Sequence, residues 1–200
     1  MQKHITSLKR LVFIISLLPL SWLIYALLTD KLGANPIEAV TRDTGVWALR
    51  FIMVTLLISP LRKLTGINHF IRFRRMLGLF AFFYASVHML LYLGLDQFFD
   101  IQEIWLDIVK RPFITIGFIS FVLLIPLTIT STDKMMKRLG GRRWKKLHYL
   151  IYLIVVLSCL HFYMLVKQDK TEPLIYLFIA ILLLGFRVFS QRRRSQSAAS

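Results

Sequence analysis

Residues 76–95 read MLGLFAFFYASVHMLLYLGL. Twenty residues without a Lys, Arg, Asp or Glu, wound as an α-helix, extend about 30 Å, the thickness of a bilayer's hydrocarbon core. The stretch therefore reads as a membrane-crossing helix. His88 within it becomes the residue to explain, because an ionisable side chain at membrane depth is costly and by default functional. Five further apolar stretches flank it, at 11–28, 46–61, 113–130, 147–166 and 174–189. The stretch at 46–61 is short. Hydrophobic residues make up 56% of the 200, against 18% charged, which leaves no soluble domain of useful size between the spans. The fold class expected is an all-α integral membrane protein with six transmembrane helices.

The net charge of +16 raises nucleic acid as a partner, but its distribution argues for topology instead. Nineteen of the 26 basic residues fall before span one, between spans two and three, between four and five, or at the end of the chain. Nine of the ten acidic residues, all but Asp133, fall on the other side. By the positive-inside rule the basic side is cytoplasmic, so both termini are expected inside. Attraction to anionic lipid is a secondary consequence of the same charges. The domain layout expected is a cytoplasmic N-terminus at 1–10, a six-helix domain at 11–190 and a polar cytoplasmic tail at 191–200. The first span is longer than a signal-peptide core and no small-x-small cleavage site follows it, so it is expected to be retained.

Several chemistries are excluded by what the chain lacks. There is no G-x-G-x-x-G after a strand pattern and no Walker A motif, hence no nucleotide domain of its own. There is no H-E-x-x-H for a membrane zinc protease and no C-x-x-C-H for covalent haem attachment. The one cysteine, Cys159, reads as a small buried hydrophobe. Between spans three and four, Phe98, Ile101, Ile104, Trp105 and Ile108 recur at helical spacing, with Asp96, Asp100, Glu103 and Asp107 between them. That pattern predicts an amphipathic helix at the outer interface. Pro112 opens span four, and Pro126 lies late within it.

Three histidines lie in membrane-length stretches: His88 in span three, His148 and His161 in span five. Both spans run outward. His88 and His161 share the outer half of the membrane, whereas His148 stands at the inner end, 13 residues or roughly 20 Å before His161. Two histidines at one depth on two helices suit one haem iron ligated from both faces, a group that passes single electrons. Phe82, Phe83, Tyr84, Tyr92, Tyr152, Phe162 and Tyr163 are expected to wall it, though an aromatic stripe is also ordinary helix packing. His148 reads either as an interfacial residue or as part of an inner haem or flavin site. Its partner at matching depth would be Arg74, fourteen residues before His88 and nearly on the same helix face. Arg74 would approach an iron, a haem propionate or a flavin phosphate, or else is one more of the basic residues that set topology. Thirteen steps do not return His148 and His161 to one face of a straight helix, and no proline intervenes to bend it.

Taken in order, Leu32-Gly33-Ala34-Asn35-Pro36, Ile58-Ser59-Pro60-Leu61, Arg74-Arg75-Met76-Leu77-Gly78-Leu79, His88, Lys110-Arg111-Pro112, Thr130-Ser131-Thr132, Trp144-Lys145-Lys146-Leu147-His148 and His161 resemble the MsrQ family, formerly YedZ. This family supplies the haem-binding membrane subunits of periplasmic methionine sulfoxide reductase systems, within a wider ferric-reductase-like transmembrane group. The resemblance covers nearly the whole chain. It implies an electron-transfer subunit in the bacterial inner membrane, holding one or two b-type haems and with FMN as a further cofactor. It implies electrons drawn from the quinone pool or a cytosolic flavin reductase. They pass to the molybdopterin subunit MsrP, which repairs oxidised methionines in envelope proteins. The family's haem histidines carry over to His88, His148 and His161, and its arginine before span three to Arg74. Two other readings stand beside it: a quinone-linked cytochrome b for another oxidoreductase, and a non-redox transporter or scaffold with buried histidines.

Overall fold

A computed structural model describes the backbone of residues 2–197 and the side chains of residues 5–190. Helix α1 runs Gln2–Leu28 and α2 runs Pro36–Thr65. A single 3-10 turn at Asn68–Phe70 leads into α3, Ile71–Leu91, which loosens into a π-helical turn at Tyr92–Asp96. Helix α4 is Ile101–Lys110 and α5 is Pro112–Ile129. Two short helices follow, α6 at Asp133–Leu139 and α7 at Gly141–Leu147, then α8 at Leu150–Leu165 and α9 at Thr171–Ser197. Among the described residues, six segments are long and apolar enough to cross a membrane: α1, α2, α3 with its flanking turns, α5, α7 with α8, and α9.

The second span is longer than the apolar window suggested. Helix α2 starts ten residues earlier, at Pro36 rather than 46. Asn35 caps it by accepting from the backbone N–H of Glu38 at 3.3 Å, and Pro36 takes the first helical position, where a missing N–H costs nothing. Gly66, at φ 71°, closes the other end with its N–H on the Arg62 carbonyl. The polar run Thr41-Arg42-Asp43-Thr44 hid these turns from a hydropathy reading. Helices α1 and α9 continue through 2–10 and 191–197. Residues 198–200 of the expected tail lie outside the described residues.

Span five contains a break at its inner end. The N–H groups of Tyr149, Ile151 and Tyr152 reach carbonyls three residues back, on Lys146, His148 and Tyr149. Residues wound this tighter way turn about 120° each instead of about 100°. The break rotates His148 relative to His161, so the phase of a straight helix does not hold across it.

Helices α2 and α3 pack along most of their length, as do α5 and α8, and α9 closes against α8 and α2. The core between them holds Leu49, Ile52 and Leu56 of α2, and Ile154 and Val155 of α8. Cys159 is buried among them at 1% exposure, a small core hydrophobe as expected. Helix α1 is peripheral and presents Phe13, Ile14, Leu18 and Trp22 outward, the surface a bilayer would cover. Tyr84 of α3 ties it on. Its hydroxyl donates to the Ser16 carbonyl at 2.8 Å and accepts from the Leu20 N–H at 3.2 Å. It is thus inserted into the rung that would join those two groups, beside Pro19.

Candidate functional site: two facing imidazoles

The two tightly packed pairs, α2 with α3 and α5 with α8, separate toward the end of the bundle that carries the acidic loops. Between them lies a cavity of about 1550 Å³, lined by residues of all four helices and by Asp96, Asp169 and Glu172 at its mouth. His88 enters from α3 and His161 from α8, with ring centroids 6.2 Å apart and planes at 73°. The structure thus brings these two expected ligands together.

Each imidazole is held the same way. His88 Nδ1–H donates to the Thr41 carbonyl on α2 at 2.7 Å, and His161 Nδ1–H donates to the Phe113 carbonyl on α5 at 2.7 Å. A backbone carbonyl only accepts, so both rings carry their proton on Nδ1 and leave Nε2 unprotonated. Four residues beyond each carbonyl stands a glycine, Gly45 or Gly117. In an α-helix the side chain at i+4 covers the carbonyl at i, so a glycine there opens it to a neighbour. A Cβ on Gly45 would lie 3.0 Å from the His88 ring, and one on Gly117 would lie 2.8 Å from Nδ1 of His161.

This arrangement fits a haem on four counts. Imidazole nitrogens about 2.0–2.1 Å from a first-row metal, plus a ring half-width of about 1.1 Å on each side, put ring centres about 6.3 Å apart; the observed 6.2 Å matches. Nδ1 bonded to a carbonyl is the usual outer support of a metal-bound imidazole. The cavity exceeds the roughly 300–1,000 Å³ of ordinary small-molecule sites and admits a large planar group. Thr41 Oγ1, on its wall, is buried without a hydrogen-bond partner. Among the described residues no three His, Cys, Asp or Glu side chains gather to hold a bare ion. An iron between these rings would therefore take its other ligands from a macrocycle.

The walls differ from expectation. Of the seven aromatics named from sequence, only Tyr92 and Phe162 line this cavity, joined by Phe98, Phe113, Phe118 and Phe121. Tyr84 is spent on α1, Phe82 stacks on Phe121, and Phe83 is partly exposed. Tyr163 lies under Lys170, and Tyr152 belongs to the opposite end. The interfacial helix α4 is present, but its faces are not simply apolar and acidic. Ile104 and Ile108 turn toward the cavity. Asp107 is largely covered and accepts from Tyr92 and Gln97.

His148 and Arg74 do not join this site. They line a separate chamber of about 220 Å³ at the end carrying the basic loops, together with Arg62, Trp144, Tyr152 and Arg187. His148 stacks on Trp144 at 3.9 Å and donates from Nδ1 to the Trp144 carbonyl at 3.0 Å. Arg187, on α9, is buried, with N–H groups on Tyr152 Oη and the Leu56 carbonyl, each at 3.0 Å. Sequence reasoning counted Arg187 only as a topology charge. Its place inside the apolar run 174–189 was a signal of the same kind as that of the histidines. Gly45, Gly117 and the two accepting carbonyls were also missed. Their signal is the four-residue step from Thr41 to Gly45 and from Phe113 to Gly117.

Comparison with known proteins shows the family. Residues 44–159 match the family described as ferric reductase like transmembrane component. The chain is 52% identical to the "protein-methionine-sulfoxide reductase heme-binding subunit MsrQ" of Herminiimonas arsenicoxydans, covering 98% of this chain and 91% of that protein. It is 51% identical to the protein of that name from Rhodospirillum rubrum, covering 94% and 92%. For the Caulobacter vibrioides protein the identity is 44%, covering 94% and 90%. The chain belongs to the MsrQ family of haem-binding membrane subunits, within the ferric-reductase-like transmembrane group.

Proposed function

We propose that the chain is a b-type cytochrome that carries electrons across the bacterial inner membrane to a periplasmic methionine sulfoxide reductase, with one haem held between Nε2 of His88 and Nε2 of His161. The observation that carries this reading is the pair of neighbouring imidazoles, ring centroids 6.2 Å apart, each with Nδ1 committed to a carbonyl. A haem held between these two imidazoles would supply one-electron transfer. The protein's part is to fix both tautomers, to keep the rings apart at metal-spanning distance, and to surround them with apolar walls. Reduction of the sulfoxide falls to the partner subunit in this reading.

Orientation follows from charge. With the basic loops in the cytoplasm, both termini are inside and the acidic-end cavity opens to the periplasm. Electrons then enter from quinol or a cytosolic flavin reductase and leave across the outer face to the molybdopterin subunit MsrP. To His148 and Arg74 the reading gives the inner position, as contacts for the anionic part of a cofactor or lipid. FMN is one such group.

The test is electron delivery. The chain, purified, reconstituted and reduced, is mixed with oxidised molybdopterin subunit and a methionine sulfoxide peptide, and the haem Soret band is followed in stopped flow. Reoxidation that needs both additions is expected. Reoxidation indifferent to the molybdopterin subunit would contradict the partner assignment.

A further inference from the structure

We propose that the haem lies in its cavity with both propionates toward the mouth at the acidic-loop end, held there by Arg42 of α2 and Arg111 at the start of α5. The inference rests on the haem reading and adds two contacts to it. A b-type haem carries both carboxylates on one edge of an otherwise apolar disc, and the cavity has the same asymmetry. On the basic-end side of the imidazoles its wall is formed by residues such as Leu49, Ile52, Ala85 and Leu124. The hydroxyls found there, of Ser120 and Ser158, bond to each other at 2.8 Å. Every Asp, Glu, Lys and Arg of the wall lies on the mouth side. A carboxylate turned toward the floor would be buried without a counter-charge, which is costly. The apolar edge of the disc has no such cost there.

The two arginines stand in matching places. Arg42 follows Thr41, whose carbonyl holds His88, and Arg111 comes two residues before Phe113, whose carbonyl holds His161. They lie three and six residues on the mouth side of Gly45 and Gly117, about 4.5 and 9 Å along the chain if helical. One imidazole serves each face of the haem, so one arginine stands toward each face of the propionate edge. Neither guanidinium is saturated by the protein. Arg111 Nε lies 3.2 Å from Asp107, and Arg42 Nε lies 3.9 Å from Asp43. Among the described residues the Nη atoms of both have no hydrogen-bond partner in the protein. Carboxylates of the mouth are engaged elsewhere: Glu172 with Arg50 at 3.4 Å, Glu38 with Asn35 at 2.9 Å, and Asp169 with the Thr171 N–H at 2.9 Å. Thr41 Oγ1, beside Arg42, is buried in the same wall without a partner. The planar fork of an arginine matches a carboxylate.

The experiment uses the full chain in detergent, as the unmodified protein, Arg42→Gln and Arg111→Gln. Each is loaded with haem b or with haem b dimethyl ester, whose carboxylates carry no charge. Release is followed at the Soret band as transfer to excess apomyoglobin, and the midpoint potential by spectroelectrochemical titration. The side chains of Arg42 and Arg111 are 58% and 56% exposed, so solvent screens each contact. Release of haem b about fivefold faster in each variant is the loss expected of such a pair. The midpoint potential should fall with it, because a cation beside the haem favours the added electron. With the dimethyl ester the three proteins should release at one rate. That dependence on the propionates separates a contact from a structural role and supports the proposal. Haem b released at the same rate by all three proteins overturns it. So does an equal acceleration with haem b and with the ester, which would leave the arginines a structural part alone. A propionate-dependent effect in one variant only strikes the other arginine from the site. The haem reading fails separately, if His88→Ala and His161→Ala both keep their haem.

Discussion

A Cβ on Gly117 would stand 2.8 Å from Nδ1 of His161, so the imidazole occupies the space of the side chain that Gly117 lacks. The consequence can be separated from ordinary helix stability. Alanine is favoured over glycine inside a helix by about 0.8–1.0 kcal/mol, whereas overpacking a tight contact costs about 1–3 kcal/mol. In Gly117→Ala the backbone therefore gains while the imidazole is displaced. We expect haem per polypeptide to fall severalfold without loss of expression. Gly45→Ala, whose Cβ would lie 3.0 Å from His88, should lose less. Full haem in both variants, by the pyridine haemochrome assay, would show that the glycines do not serve the histidines.

The imidazole planes stand at 73°, and both are pinned by carbonyls on different helices. Near-perpendicular axial imidazoles leave two iron d orbitals close in energy. The oxidised protein should then give a highly anisotropic low-spin signal in electron paramagnetic resonance. A rhombic three-line spectrum, typical of parallel planes, would mean that the rings are not held as described.

Tyr84→Phe should destabilise the attachment of α1 without touching the haem. The change removes a bond donated to Ser16 and one accepted from Leu20, a cost of about 1–3 kcal/mol. The observable is a lower midpoint of thermal unfolding in detergent, at constant haem content. Haem loss in this variant would place Tyr84 in the cofactor site instead.

The sequence was most legible where one physical rule dominated. Uncharged runs such as 76–95 marked the spans, and the depth of His88 and His161 marked the pair. It was least legible where polar residues sit inside helices. Thr41-Arg42-Asp43-Thr44 reads as loop, yet it forms the first turns of α2 and supplies the carbonyl that holds His88. The break at His148 carries no proline or glycine. It shows only in the three-residue hydrogen bonds around it. Gly45 and Gly117 carry no sequence signal of their own, because what they expose is a carbonyl one turn earlier. Arg187 was masked by the positive-inside pattern to which it also contributes. Depth along the helices was enough to set Arg74 and His148 together at the end opposite His88, whereas the chamber that joins them to Arg187 required three-dimensional information.

The central claim is that His88 and His161, and no other pair, hold the haem. It is tested most directly by the dithionite-reduced minus oxidised spectrum with haem quantified per polypeptide, in the unmodified chain and in His88→Ala, His161→Ala and His148→Ala. The account predicts about one haem per chain in the unmodified protein and in His148→Ala, and essentially none in the other two. Unchanged haem content in both His88→Ala and His161→Ala would contradict it.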